Sequence, residues 1–162
     1  MKKVYTLFIA ALLGGAHAWA IQAPDAPGTK LVTVQAGGFP GIGGLVSGQI
    51  AMTNIGAGHL YGGFQLGGQF RHGKATDARM TDLSFSPRIQ YGFNMGRVVE
   101  LHAGGLAGID VRKMNSHKSE LVFCYGGFGG LRLNLTQGFG LVAEGGWSNC
   151  LPYATAGVAF RF

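Results

Sequence analysis

Strict alternation of apolar and polar residues, repeated over eight segments, is the feature that most limits how this chain can fold. In the last segment one face carries alanine, valine and phenylalanine, and the other carries Tyr153 and Arg161. Period-two alternation is typical of a β-strand whose two faces meet different environments. The pattern therefore predicts an all-β protein of eight antiparallel strands in up-and-down order. The segments are Leu31–Gly38, Leu45–Thr53, His59–Phe70, Asp82–Asn94, Val98–Val111, Ser119–Leu135, Phe139–Ser148 and Tyr153–Phe162.

The connections between the segments alternate in length and in charge. Short turns follow Thr53, Asn94 and Leu135, whereas most of the other connections are longer and richer in charged residues. An up-and-down membrane barrel with both termini in the periplasm has this asymmetry, and eight strands in roughly 130 residues fit the smallest such barrels. A soluble eight-stranded lipocalin-like barrel, which is also secreted and also alternates, is the main alternative.

The distribution of charge favours lipid rather than water outside the barrel. Charged residues make up 12% of the chain, about half of the ~25% usual in soluble domains. The polar face of the strands carries mainly Gln, Ser, Thr and Gly, and the opposite face is apolar with aromatic rings near both ends, as a lipid-facing surface requires. We predict a monomeric transmembrane β-barrel over residues 30–162 in the bacterial outer membrane. The lysines of this domain fall in loops or at strand edges, at Lys30, Lys74, Lys113 and Lys118.

The first twenty residues have the three parts of a secretory signal peptide. Two lysines precede an apolar run, and the small residues Ala18 and Ala20 offer cleavage sites. The apolar run is too short to span a membrane as a helix. We predict a signal peptide over residues 1–20 and an N-terminal linker over residues 21–29, so that the mature chain is exported to a compartment where disulfides form.

Several classes of function find no support in the sequence. The formal charge is +6, but the basic residues form neither a helix nor a clustered stripe, so nucleic-acid binding is not predicted. The glycine runs lack the strand–loop–helix context of a phosphate loop. Histidines, cysteines and acidic residues do not cluster with metal-ligand spacing. The sequence therefore predicts no metal and no cofactor.

Seven titratable residues on the polar face are predicted to form a charge network inside the barrel. An eight-stranded barrel has an interior just wide enough for its own side chains, and charges buried there require partners. We predict that Glu144 pairs with Arg132, its diagonal neighbour, because Gly130 leaves room between them. Glu100 and Arg161 are candidates to join this pair. The alternative is a water-filled pore, a narrow conduit for small solutes. The network comprises Arg88, Glu100, His102, Asp110, Arg132, Glu144 and Arg161.

The two cysteines are predicted to form a disulfide. If the sixth and seventh segments pair about the turn Thr136–Gly138, with Leu135 opposite Phe139, then Cys124 lies directly opposite Cys150. Both would face the interior near the outer rim, within the Cα distance that a disulfide bridges.

The signal peptide, the eight segments and the terminal Phe162 resemble the small outer-membrane barrels of the OmpA/OmpX type over nearly the whole mature chain. The last strand resembles the C-terminal signature that the assembly machinery of such barrels recognises. This resemblance implies that the partners are the assembly machinery, outer-membrane lipid and lipopolysaccharide, with a structural or surface-interaction role through basic outside loops. The assembly signal is carried here by Tyr153, Val158, Phe160 and Phe162.

A local resemblance to lipid A deacylases of the PagL type raises a third alternative, a lipid-modifying enzyme. That family has a histidine two residues before its catalytic serine, but the matching position here is Gly146, so Ser148 lacks a base. His117 precedes Ser119 with the same spacing, in a loop without an apparent third member. We therefore predict no catalytic residues. The matching stretches are Leu83–Pro87, Tyr91–Phe93 and Gly146–Asn149.

Overall fold

The computed structural model describes residues 25–39, 41–72, 79–96, 98–114 and 119–162. Eight antiparallel strands follow one another in sequence order, and the first pairs with the last, so the sheet closes into a barrel. The predicted all-β, eight-stranded up-and-down architecture is confirmed. Among the described residues, no helix is long and apolar enough to cross a membrane. The strands are β1 (Lys30–Gly38), β2 (Ile42–Ile55), β3 (Gly58–His72), β4 (Arg79–Met95), β5 (Val99–Met114), β6 (Glu120–Asn134), β7 (Phe139–Ser148) and β8 (Ala154–Arg161).

Strands β2, β3 and β5 are longer than the sequence predicted. Strand β2 begins at Ile42 rather than Leu45, and β3 and β5 continue past the expected start of the polar loops. Arg71 and Arg112, predicted to lie in those loops, are therefore strand residues. Each of them hydrogen-bonds to the buried carboxylate of Asp82, so the charges that suggested a loop are turned inward.

The outer and inner faces of the barrel have opposite polarity. On β3 and β4, Leu66 and Ile89 are 58% and 52% exposed, whereas their neighbours Gln65 and Arg88 are 1% and 3% exposed. A soluble barrel would show the reverse, with charges outside and apolar side chains within. The exterior is therefore suited to lipid, as in transmembrane β-barrels.

Aromatic side chains form belts near both ends of the barrel. Tyr125 packs against Phe123 and Trp147 at one end, with ring centroids 5.8 and 5.3 Å apart. Phe139 and Phe160 pack together at the other end, 5.6 Å apart. The second end also carries the start of β1, the end of β8 and the three short turns, and we call it the periplasmic end; the first is the outer end. Rings at both levels match the two membrane–water interfaces.

Pro87 interrupts one ladder of the sheet. The pairing of β4 with β5 skips Ser86 and Pro87, although β3 still pairs with Pro87 through Phe64. Proline has no N–H to donate to a neighbouring strand. The ladder between β4 and β5 is therefore broken at this proline.

The chain before β1 contacts the periplasmic end of the barrel. Gly28 donates its backbone N–H to Ala51, and Ala51 donates to Thr29, so residues 28–29 extend the edge of the sheet. Asp25 reaches the interior, as described below. The predicted signal peptide and residues 21–24 of the predicted linker lie outside the described residues.

Candidate functional site: the charged interior

The interior charges at the periplasmic end centre on Glu100. Glu100 on β5 lies directly opposite Arg132 on β6, and Arg132 Nη1 donates to Glu100 Oε2 at 2.7 Å. Arg161 Nη2 donates to the same oxygen at 3.2 Å. Glu100 and Arg132 are almost completely buried, so each supplies the counter-charge that burial demands of the other.

Three residues that the sequence did not assign to the network complete this layer. Asp25 accepts a hydrogen bond from the Tyr61 hydroxyl, and its carboxylate lies 3.1 Å from Arg161 Nε. His59 Nε2 lies 3.5 Å from Glu100 Oε1. His59 and Tyr61 stand on the polar face that the alternation identified, but Asp25 lies before β1, where no periodicity marks an inward position.

Asp25, His59 and Glu100 bring potential metal ligands within 4.8 Å of one another, but their surroundings disfavour a cation. Both carboxylates already bind an arginine. The Asp25 N–H points at His59 Nδ1, 3.4 Å away, so this ring nitrogen already serves as an acceptor, and Nε2 faces Glu100 at 3.5 Å.

The middle layer is built on Arg88 and Glu144. Arg88 Nη2 and Nη1 donate to the two Glu144 oxygens at 2.5 and 3.1 Å, a bidentate pair. The same guanidinium donates to Gln65 and Gln90, and its carbon lies 3.8 Å from the centre of the Phe128 ring. Arg88 therefore has charge, hydrogen-bond and cation–π partners at once.

The predicted pairing of Glu144 with Arg132 is wrong, although the strand register behind it is correct. Gly130 lies opposite Glu144, as expected, but it also lies opposite His102 on its other side. His102 crosses the space that Gly130 leaves and reaches Glu144 Oε1 at 3.1 Å. Arg132 instead binds Glu100, its directly paired neighbour. Arg88 reaches Glu144 across the narrow interior, a contact that pairing rules for adjacent strands do not anticipate.

A third layer lies toward the outer end, around Asp82 and Asp110. Arg112 Nε donates to Asp82 at 3.0 Å and its Nη2 donates to Asp110 at 3.4 Å. Arg71 Nε donates to Asp82 at 2.9 Å. Both carboxylates are fully buried, whereas the two guanidinium side chains retain about a fifth of their exposure. Asp110 was assigned to the network from the sequence; Asp82, Arg71 and Arg112 were not.

Opposite charges are equal in number within each layer. Among the residues that the structure describes, the layer at the periplasmic end and the layer at the outer end each join two arginines to two carboxylates. The middle layer joins one arginine to one carboxylate. Buried charge is tolerated when it is paired and hydrogen-bonded. The arrangement can therefore fill the interior with each arginine matched in number by a carboxylate.

The segment between β7 and β8 lies at the outer mouth of the barrel. Cys150 in this segment forms a disulfide with Cys124 on β6, with Cα atoms 5.7 Å apart, as the register predicted. Both cysteines are fully buried. Arg71 and Arg112 donate to the carbonyl oxygen of Asn149 at 3.3 and 3.0 Å, which joins the segment to the third charge layer.

The residues predicted to act in assembly lie on and beside β8. Val158 lies between Val34 of β1 and Leu141 of β7. Phe162 follows the strand and exchanges backbone hydrogen bonds with Lys30, while Tyr153 precedes it and packs edge-on against Phe39. Phe160 belongs to the periplasmic aromatic belt. Their role as an assembly signal remains a prediction.

Ser148 is the residue that the deacylase resemblance singled out, and its hydroxyl is engaged in contacts with the neighbouring Cys150. Its hydroxyl contacts the Cys150 sulfur at 3.3 Å and accepts the Cys150 N–H at 3.2 Å. The matching upstream position is Gly146, which approaches β6 so closely that a Cβ there would clash with the carbonyl oxygen of Gly127. His117 lies outside the described residues.

Comparison with known proteins identifies the fold but no family. No protein-family model and no curated protein matches the sequence. The structure resembles Neisserial surface protein A (TM-score 0.57, 15% identity, covering 83% of this chain and 94% of that one). It also resembles a designed transmembrane β-barrel (TM-score 0.54, 13% identity, 85% and 98% covered) and the Yersinia pestis outer membrane protein Ail (TM-score 0.50, 18% identity, 85% and 100% covered). The chain thus has the fold of the small outer-membrane β-barrels, and its exterior is that of a protein embedded in the outer membrane.

Proposed function

We propose that this protein is a non-enzymatic, non-conducting outer-membrane barrel whose role is structural or lies in contacts made at the cell surface. The observation that carries the proposal is the stack of three charge layers, in each of which arginines and carboxylates are equal in number. They fill the interior from Asp25 at the periplasmic end to Asn149 at the outer end. An eight-stranded barrel has no width to spare beyond its own side chains, and these layers therefore support an interior without a continuous path for a solute.

The space near the middle layer supports the same view. The cavity bordered by Arg88, Glu144 and Leu151 has a volume of about 30 Å³, which accommodates no more than a few water molecules. A conduit needs connected water along its whole length, whereas this cavity is local.

The test is conduction by the purified, folded protein. Reconstituted into planar bilayers or liposomes, it is expected to show no steady ion conductance and no swelling in small sugars. A designed eight-stranded barrel and an established porin serve as the non-conducting and conducting controls. Steady conductance well above that of protein-free membranes would contradict the proposal and favour the narrow-conduit alternative.

Surface contacts would involve the lipid and lipopolysaccharide around the outer end. Lys113 is exposed close to that end of β5, and Lys74 and Lys118 belong by sequence to the neighbouring outer connections. Amines placed there suit the phosphate groups of lipopolysaccharide, and the attraction is screened by salt. Replacing the three lysines by glutamine should weaken binding to lipopolysaccharide micelles, most strongly at low ionic strength. Glutamine at Lys30, at the opposite end of the barrel, is the control.

A further inference from the structure

The segment over residues 149–153 lies in the outer mouth of the barrel. Cys150 and Leu151 are 0% and 3% exposed, and Pro152 is buried as well. Leu151 packs so closely on β3 that a Cβ added at Gly67 would clash with its Cδ2 atom. With Leu45 and Leu106, Leu151 lines the space just outside the Arg88–Glu144 pair. An apolar side chain thus lies between the outer end and the middle charge layer.

Contacts to several strands hold this segment in place. The Asn149 side chain accepts the Tyr125 N–H at 2.9 Å and donates to the Phe123 carbonyl at 2.8 Å, both on β6. Its own carbonyl accepts from arginines of β3 and β5, as described above. Tyr153 donates its N–H to Phe39, after β1, at 2.8 Å. The segment is therefore attached to opposite sides of the mouth.

The disulfide belongs to this segment more than to the barrel wall. The β6–β7 ladder runs from Asn134 to Gly126 by hydrogen bonds alone, and the sheet is closed by its eight pairings. Cys150 lies beyond the last residue of β7. The bond to Cys124 therefore adds little to the closure of the barrel, but it fixes Leu151 next to its contact with Gly67.

We propose that residues 149–153 are a plug and that the Cys124–Cys150 disulfide is its latch, which keeps the outer mouth shut while the barrel itself stands without it. This inference rests on the closed interior proposed above and names the element that closes it from outside. Because both sulfur atoms are buried, the latch is shielded from thiols in solution.

The test measures the access of water-soluble reagents to the space below the plug. Ser47 is 1% exposed and lies on β2, across the barrel from β6, so a cysteine introduced there stays clear of the disulfide. Ser47→Cys is made in the parent chain and in the Cys124→Ser/Cys150→Ser chain. A charged methanethiosulfonate reagent is then added to the protein folded in liposomes. We expect slow labelling in the parent and labelling at least tenfold faster in the chain without the latch.

Two further variants make the result specific. Leu151→Ser keeps the disulfide and removes the apolar side chain, so the thiol introduced by Ser47→Cys should label at an intermediate rate. Ser119→Cys, at an exposed position, should label equally fast with and without the latch. Heat-modifiable migration on a gel verifies that each variant is folded.

Three outcomes would contradict the plug or the closed interior. Equally slow labelling of the Ser47→Cys thiol with and without the latch would overturn the plug while leaving the closed interior intact. Fast labelling in the parent chain would contradict the closed interior itself. Failure of the chain without the two native cysteines to fold would also overturn the inference, because the disulfide would then serve the barrel.

Discussion

The pairing of Arg88 with Glu144 makes a quantitative prediction about stability. Glu144→Gln removes the negative charge but keeps one oxygen able to accept from Arg88, which remains buried with only Gln65 and Gln90 as further acceptors. Breaking a buried ion pair by removing one partner costs about 3–5 kcal/mol. The retained oxygen places the expected loss near the lower end, at about 3 kcal/mol.

The double-mutant cycle isolates the interaction. Arg88→Met alone strands Glu144 with His102 as its remaining partner and should cost a similar amount. The double variant leaves neither charge unpaired, so its destabilisation should fall short of the sum by about 1–3 kcal/mol, the coupling expected of contacting residues.

Arg132 provides the matched control, because it is also a buried arginine near Glu144 but binds Glu100 instead. Glu144→Gln combined with Arg132→Met should be additive to within about 0.5 kcal/mol. Urea unfolding followed by Trp147 fluorescence, extrapolated to zero denaturant, measures all the free energies. If Glu144 couples to Arg132 as strongly as to Arg88, the layered assignment of the charges is wrong.

Three other predictions address the lipid face, the disulfide and the interior packing. Leu66→Arg and Ile89→Arg should each impair membrane insertion, since an arginine facing lipid at mid-bilayer costs about 2–4 kcal/mol; normal folding yields into liposomes would contradict the outward assignment. Non-reducing mass spectrometry of the mature protein should find Cys124 joined to Cys150, and two alkylatable thiols would refute this. Gly130→Ala should destabilise the barrel by about 1–3 kcal/mol, because its Cβ would clash with the Ala143 carbonyl oxygen and would lie 2.8 Å from His102 Nε2; an unchanged urea midpoint would contradict tight packing around this position.

The alternation and the turn positions were sufficient to predict the strand order and the face of most residues within the predicted segments. Once the Thr136–Gly138 turn set the register of β6 and β7, the disulfide followed, because pairing of adjacent strands depends only on sequence spacing. Contacts across the interior do not depend on sequence spacing alone. The approach of Arg88 on β4 to Glu144 on β7 depends on strand tilt and barrel closure, neither of which appears in a local pattern.

The sequence also failed where charge was taken as a sign of a loop. Arg71 and Arg112 adjoin polar connections, and the alternation weakens there, so nothing local distinguishes an inward arginine from a solvated one. The distinction depends on Asp82, a neighbour on β4 whose burial is visible only after the strands are paired. Asp25 was missed for a similar reason, since its partners Tyr61 and Arg161 belong to β3 and β8.

The charge layers also explain how so glycine-rich a chain can select one register. Shifting a strand by one residue moves its whole inner face to the outside. A shift of β4 would place Arg88 in lipid and Ile89 inside, at a cost of about 2–4 kcal/mol for the arginine alone. It would also leave Glu144 without its main partner. A smaller penalty of the same kind applies to four more strands, because among the described residues each carries one inward arginine nearer an end of the barrel, where the cost of facing lipid is lower. The five are Arg71 on β3, Arg88 on β4, Arg112 on β5, Arg132 on β6 and Arg161 on β8. Apolar side chains in the interior would impose no such penalty, since leucine is as stable in lipid as within the barrel. The buried ion pairs therefore contribute more to the choice of register than to the net free energy of folding.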